Sequence, residues 1–182
     1  MERLIREGYF VGVLDLTTTE LADELVGGVL SAGPNRLEAA TGKSIPQVVS
    51  VGALDMVNFG PASTVPAKFS GRCFVRHNAS VTLMRTSPEE CKALGQAIAQ
   101  KLRDALPDRT HVPLPLRGFS GIDKEGGPFW DVEADRALLD TLRSARLKCP
   151  IEELDTDIND PSFAAAAVSA LHAMIQSVDQ YF

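Results

Sequence analysis

Short apolar runs and longer stripes of helical period alternate along this chain. Five runs predict buried strands: Tyr9–Leu14, Gln47–Val51, Val81–Arg85, Val112–Leu116 and Pro150–Leu154. Each is a brief apolar stretch, too short for a helix. Between them lie amphipathic stripes formed by Leu21, Leu25 and Val29, by Leu94, Ile98 and Leu102, and by Leu138, Leu139 and Leu142. A last stripe comprises Ala164, Val168, Leu171, Ile175 and Val178. Helix starts carry their own signals. Thr17 with Glu20, and Ser87 with Glu90, fit the capping box, Leu16 and Leu21 fit the hydrophobic staple, and Pro88 and Pro161 suit a first helical position. Pro113 and Pro115 each remove a ladder donor, which predicts an irregular or edge strand. Gly52 to Asn78 has no clean period and predicts a long irregular connection with a short helix near Val65–Phe69.

Strands followed by amphipathic helices predict an α/β fold: a doubly wound, mainly parallel five-stranded sheet with helices on both faces, flavodoxin-like or Rossmann-like. Ligands of such sheets bind outside the strand carboxyl ends, where strand order reverses. In the order 2-1-3-4-5 that crevice lies between strands one and three, and in 3-2-1-4-5 between one and four. Either order brings the loop after the first strand into it. There Asp15 precedes the hydroxyls of Thr17, Thr18 and Thr19 at a helix start, where unpaired N–H groups favour an anion. The competing reading is a plain, well-capped helix after a strand.

Composition narrows the class. The 182 residues, 45% hydrophobic, suffice for a single domain, 1–182, with a full core. Net charge is −6, from 18 Lys plus Arg against 24 Asp plus Glu, which argues against nucleic-acid or anionic-membrane binding through a basic face. The longest apolar stretch, Phe163–Ile175, is too short to span a bilayer. No secretory signal precedes Tyr9, and Cys73, Cys91 and Cys149 form no CxxC pair, so reduced thiols and a cytoplasmic location are expected. The abrupt start, a helical turn stopped at Gly8, raises the expectation that the chain is the C-terminal lobe of a larger domain.

Neither a P-loop nor a GxGxxG fingerprint is present. Asp15, Asp55, Asp123 and Asp155 fall at or beyond strand ends, where one or two carboxylates could share Mg²⁺ with substrate phosphates, or else serve as solvated loop and cap residues. Ser120 lacks the spacing of a nucleophile elbow. Arg76-His77-Asn78 precedes strand three and is placed at the opposite, amino edge; no metal site is assigned to His77, His111 or His172.

Four stretches, Gly12–Leu25, Met56–Pro61, Arg76–Thr86 and Gly118–Asp135, together resemble the ATP-binding domain family of the tomato mosaic virus resistance protein and its uncharacterised bacterial and fungal relatives. The resemblance implies a two-lobed α/β domain of which this chain is the second lobe, an association with nucleotide binding and, for the plant member, inhibition of viral replication through a viral replication protein. Geometry and motif membership then select Asp15, Thr17, Thr18, Thr19, Asn58, Phe59, Gly60, Arg85, Thr86, Ser120, Gly121 and Asp123 as ligand-binding candidates, with no catalytic residue and no metal ligand assigned. The expected function is binding of a nucleotide, ATP with Mg²⁺, or another phosphorylated ligand, at a site completed by the preceding lobe or a second subunit. The alternatives are a metal-assisted hydrolase or transferase acting on a phosphorylated metabolite, and a protein-interaction module. Met56, Phe59, Phe119, Phe129 and Trp130 suggest an exposed apolar surface and a homodimer; the rival reading folds the aromatics back as a local mini-core.

Overall fold

A computed structural model describes residues 1–179, with side chains through Ser177. Four parallel strands form the main sheet: β1 (Val13–Thr17), β2 (Gln47–Gly52), β6 (Thr110–Pro115) and β7 (Ile151–Leu154), in the order β1-β2-β6-β7. Between β2 and β6 in the chain come β3 (Met56–Phe59), β4 (Phe74–Arg76) and β5 (Thr82–Arg85), a separate antiparallel sheet in the order β3-β5-β4. The five-stranded doubly wound expectation is therefore corrected. Val81–Arg85 is no member of the parallel sheet, because Met56–Phe59 lies opposite it, pairing Met56 with Arg85 and Phe59 with Thr82.

Strand order sets the layers. Each crossover from β1 through β2 and β6 to β7 steps in one direction, and right-handed crossovers of that kind lay their helices on one face. That face carries α2 (Glu20–Val26), α4 (Pro88–Lys101) and α5 (Val132–Ser144). Leu21, Leu94, Ile98, Leu138 and Leu142 join Val49, Val51, Val112 and Leu114 in the main core, and Val57, Phe59 and Met84 extend it under the small sheet. The final helix, α6 (Pro161–Asp179), packs against β1, β2 and β6. Two short helices, α1 (Glu2–Arg6) and α3 (Ala39–Lys43), close a second cluster of Ile5, Val13, Ala39 and Ala40. Strand order never reverses, so the switch-point crevice predicted from either order does not form.

Several local expectations also change. The first strand begins at Val13, with Tyr9 and Val11 exposed ahead of it, and Asp15 lies inside the strand rather than beyond it. Helix α2 ends at Val26 with Gly27 left-handed, so Leu25 and Val29 face solvent and the buried positions are Leu21, Ala22 and Asp23. The α4 and α5 stripes are buried as predicted, behind the Ser87 capping box and the Asp131 cap. Strand β6 is internal, not an edge. Val112 and Leu116 donate toward β7, so by alternation Pro113 and Pro115 turn their nitrogens toward β2, where the paired register stops at Val48 with His111 and Ser50 Oγ donates to the Pro113 carbonyl instead. On α6 the buried positions are Phe163 and Ala167, while Ala164 and Val168 are exposed. Val178, assigned to the same stripe, lies outside the described side chains.

Candidate functional site

The predicted ligand residues divide among three places, and the structure gives each a different chemistry. Asp15 is buried against Arg36, which donates from Nη1 to Oδ2 at 3.0 Å and from Nη2 to Oδ1 at 2.6 Å. Arg36 also meets Glu2 at 3.3 Å and Glu20 at 3.7 Å. This bidentate pairing occupies the carboxylate that was expected to be free at a strand end.

The threonine loop is likewise occupied. Thr18 is fully buried, donating its hydroxyl to the Ser50 carbonyl and its N–H to Gly52, both at 2.9 Å. No capping box forms at Thr17, since Thr19 occupies the cap position without a side-chain cap bond. Leu21 and Ala22 spend their N–H groups on the Thr18 and Thr19 carbonyls. Asn58 Nδ2 donates to Thr19 Oγ1 at 3.1 Å, and buried Asp23 accepts from the Asn58 and Leu30 N–H groups at 2.7 Å each. Burial holds the Asp23 carboxyl above the usual range, opposed by these bonds. Phe59 is core, and Gly60 turns the chain out of β3. Thr18 is thus committed to the interior, while Thr17 is exposed and Thr19 half-buried.

The third place gathers Arg85, Thr86, Ser120 and Asp123, and adds Asp55 and Asp135. Loops leaving β2 and β6 meet here: Ala53 N–H donates to the Phe119 carbonyl at 2.8 Å, and the loop after β7 joins through Ile158 N–H to Gly118 at 3.1 Å. Ala53 adopts a left-handed φ of 55°, sparsely populated for a residue with a Cβ, where the chain turns from β2 toward Asp55. Asp55 is 0% exposed. Ser120 Oγ donates to its Oδ2 at 2.8 Å, while Oδ1, also buried, accepts no bond from the protein. Ser120 Oγ accepts in turn from the N–H groups of Ile122 and Asp123. Gly121 is exposed beside Asn159.

Arg85, 5% exposed, holds the cluster's only guanidinium. It reaches Asp135 Oδ1 at 2.5 Å and Asp123 Oδ1 at 3.5 Å, and donates to the Phe129 carbonyl at 2.7 Å and Thr86 Oγ1 at 3.1 Å. Three carboxylates share one cation, so the site carries surplus negative charge in a low-dielectric setting. Desolvation, reinforced by Asp123, pushes the Asp55 carboxyl up to about 7, with the Ser120 bond and Arg85 opposing. Asp135 is raised by burial and by Asp123 against the pull of Arg85. The buried Cys91 thiol, 3.2 Å from Thr86 Oγ1, is pushed up to about 11 by desolvation. Such an arrangement favours the protonated form of a buried carboxyl and repels a bare anion. The Ser120–Asp55 pair also has the hydrogen-bond reach of a hydroxyl beside a base.

Asp135 was not among the predicted site residues. Its sequence signal is its place on the α5 face, three, four and seven residues before Leu138, Leu139 and Leu142, where a solvated carboxylate has no business. Other expectations meet different outcomes. Phe119 and Phe129 are each 1% exposed, Phe59 and Phe119 belonging to the main core rather than to a local one, so none of the three offers an exposed ring; Trp130 alone among those aromatics is exposed, at 48%. Asp155 is an exposed partner of Arg117 at 2.7 Å. His77 sits on the exposed hairpin between β4 and β5 rather than at an edge of the parallel sheet.

Fold and site together define an α/β domain, a parallel four-stranded sheet with a small antiparallel one, carrying a buried carboxylate–guanidinium cluster. The chain belongs to the uncharacterised protein family UPF0261: residues 1–175 match its C-terminal domain. It is 53% identical over 178 residues to a UPF0261 protein of Clostridium tetani, covering 97% of this chain and 44% of that protein. It is 50% identical to one of Rhizobium meliloti, covering 93% and 43% respectively. It is also 45% identical to the ToMV resistance protein Tm-1(GCR237) of Solanum lycopersicum, covering 93% of this chain and 23% of that one. The chain therefore spans less than half the length of these relatives. None of the described helices is long and apolar enough to cross a membrane.

Proposed function

We propose that this chain is the ligand-holding lobe of a longer nucleotide-binding protein, receiving ATP or a related phosphorylated ligand as its magnesium complex at the carboxyl edge of the parallel sheet. The observation that carries this reading is Asp55: wholly buried among converging loops, bonded to Ser120 through one oxygen and left without a protein donor at the other. A carboxylate there suits Mg²⁺ shared with substrate phosphates, and the cation reconciles an anionic ligand with the surplus of acids. In this reading the ion arrives with the nucleotide rather than residing on the chain. The helix starts are not the cradle, because the first turns of α4 and α5 are already bonded to Ser87 and Asp131. A wall for the base comes from the part of the longer relatives that this chain does not span.

The test is calorimetry with Mg·ATP and with ATP in chelator, on this chain and on the full-length Clostridium tetani relative. Weak or absent heat is expected for this chain alone. The relative is expected to bind in a magnesium-dependent way and to lose binding when the residue aligned with Asp55 is changed. Failure of the full-length protein to bind, or binding indifferent to magnesium and to that residue, overturns the reading.

A further inference from the structure

A groove of about 270 Å³ lies on the outer side of α5, where the segment leaving β6 passes the start of that helix. Trp130, Leu116 and Val132 form its apolar wall, and they are 48%, 38% and 41% exposed. Three arginines, Arg117, Arg136 and Arg143, line the same groove on a chain of net charge −6. Two of them are engaged: Arg117 holds Asp155 at 2.7 Å, and Arg143 holds Glu153 at 2.5 Å and Asp140 at 2.6 Å. Arg136, exposed on α5, has no ion-pair partner among the described residues. Asp135 also borders the groove, but its carboxylate is turned to Arg85 at 2.5 Å and so presents no free anion to an occupant.

We propose that this groove binds a small planar aromatic anion, its ring against Trp130 and its carboxylate or phosphate on Arg136. The two features select together. An exposed indole beside aliphatic side chains favours another flat ring over a flexible chain, since offset aromatic contact adds to burial. A guanidinium with free donors favours a planar or tetrahedral oxyanion, which it can bind through two parallel N–H groups. The volume sits just below the roughly 300–1,000 Å³ usual for larger ligands, and so admits a single ring with its anionic group. The anion meets the unpaired guanidinium of Arg136, whereas a polyanion would also meet the acidic surroundings, Asp140, Glu153 and Asp155 among them. None of this rests on the Asp55 and Ser120 site, with which the groove shares only Asp135.

Trp130 is the chain's single tryptophan, so its fluorescence reports on this groove alone. The experiment titrates the full chain with benzoate and with phenyl phosphate, following Trp130 emission and, in parallel, heat. Inorganic phosphate and cyclohexanecarboxylate serve as controls for charge without a ring and for a non-planar ring. Saturable binding of benzoate, phenyl phosphate or both is expected, with the preferred probe distinguishing a carboxylate from a phosphate ligand. Arg136→Gln, a change at an exposed position, is expected to weaken it about tenfold or more, and Arg136→Lys to restore only part. No saturable heat or emission change with either probe overturns the proposal, as does equal binding of the controls or affinity untouched by Arg136→Gln.

Discussion

Replacing Asp55 by Asn should reverse its effect on stability as pH rises. In the folded chain burial and Asp123 hold the Asp55 carboxyl up to about 7, whereas in the unfolded chain it titrates near its ordinary value of about 3.9. Folding therefore takes up a proton between those values. The stability contributed by this group is fully present below the unfolded value and is lost as pH climbs through about 7. Integrating that linkage, Asp55 contributes about 2 to 3 kcal/mol more stability at pH 5 than at pH 8. Asparagine keeps an acceptor for Ser120 but does not titrate. Its amide nitrogen, set where Oδ1 has no partner, costs a roughly pH-independent 1–3 kcal/mol. Urea unfolding of both proteins across that pH range, followed by circular dichroism, isolates the difference because every other titrating group is common to both. Asp55→Asn should gain about 2 to 3 kcal/mol relative to the parent between pH 5 and pH 8. Parallel stability curves would refute a proton held at Asp55.

Three further outcomes follow from the same geometry. Arg85→Gln strands Asp123 and Asp135 in the interior and should cost about 3–5 kcal/mol at pH 8, less on acidification, by the same unfolding assay. Gly118→Ala should destabilise the loop after β6, because φ is +134° there and a Cβ would strike the Asp123 carbonyl oxygen; hydrogen exchange should show faster opening of residues 118–131 while the α4 amides stay protected. Ser87→Ala removes an intact capping box from α4 and should lower stability by about 1 kcal/mol with no change in slope against denaturant.

The sequence by itself determined the elements whose signals are local. The α4 and α5 stripes, the Ser87 capping box and the fully buried β2 run all form as their local signals predict, because a cap and the burial of one helix face are decided within a few turns. Only tertiary structure decided which strands pair. Met56–Phe59 is four residues holding an Asn, too short to show a period, yet it captures Thr82–Arg85 by antiparallel pairing and removes that run from the parallel sheet. The same long-range choice moved the site. Asp15 looked free until Arg36, twenty-one positions away, claimed both its oxygens, and Thr18 looked open until β2 accepted its hydroxyl. Asp55, Arg85, Ser120 and Asp135 are scattered across eighty positions, and no spacing rule links them. They share a site because the loops holding Asp55 and Ser120 meet the end of β5 and the start of α5, and the raised proton affinity of Asp55 and Asp135 comes from the burial that convergence imposes.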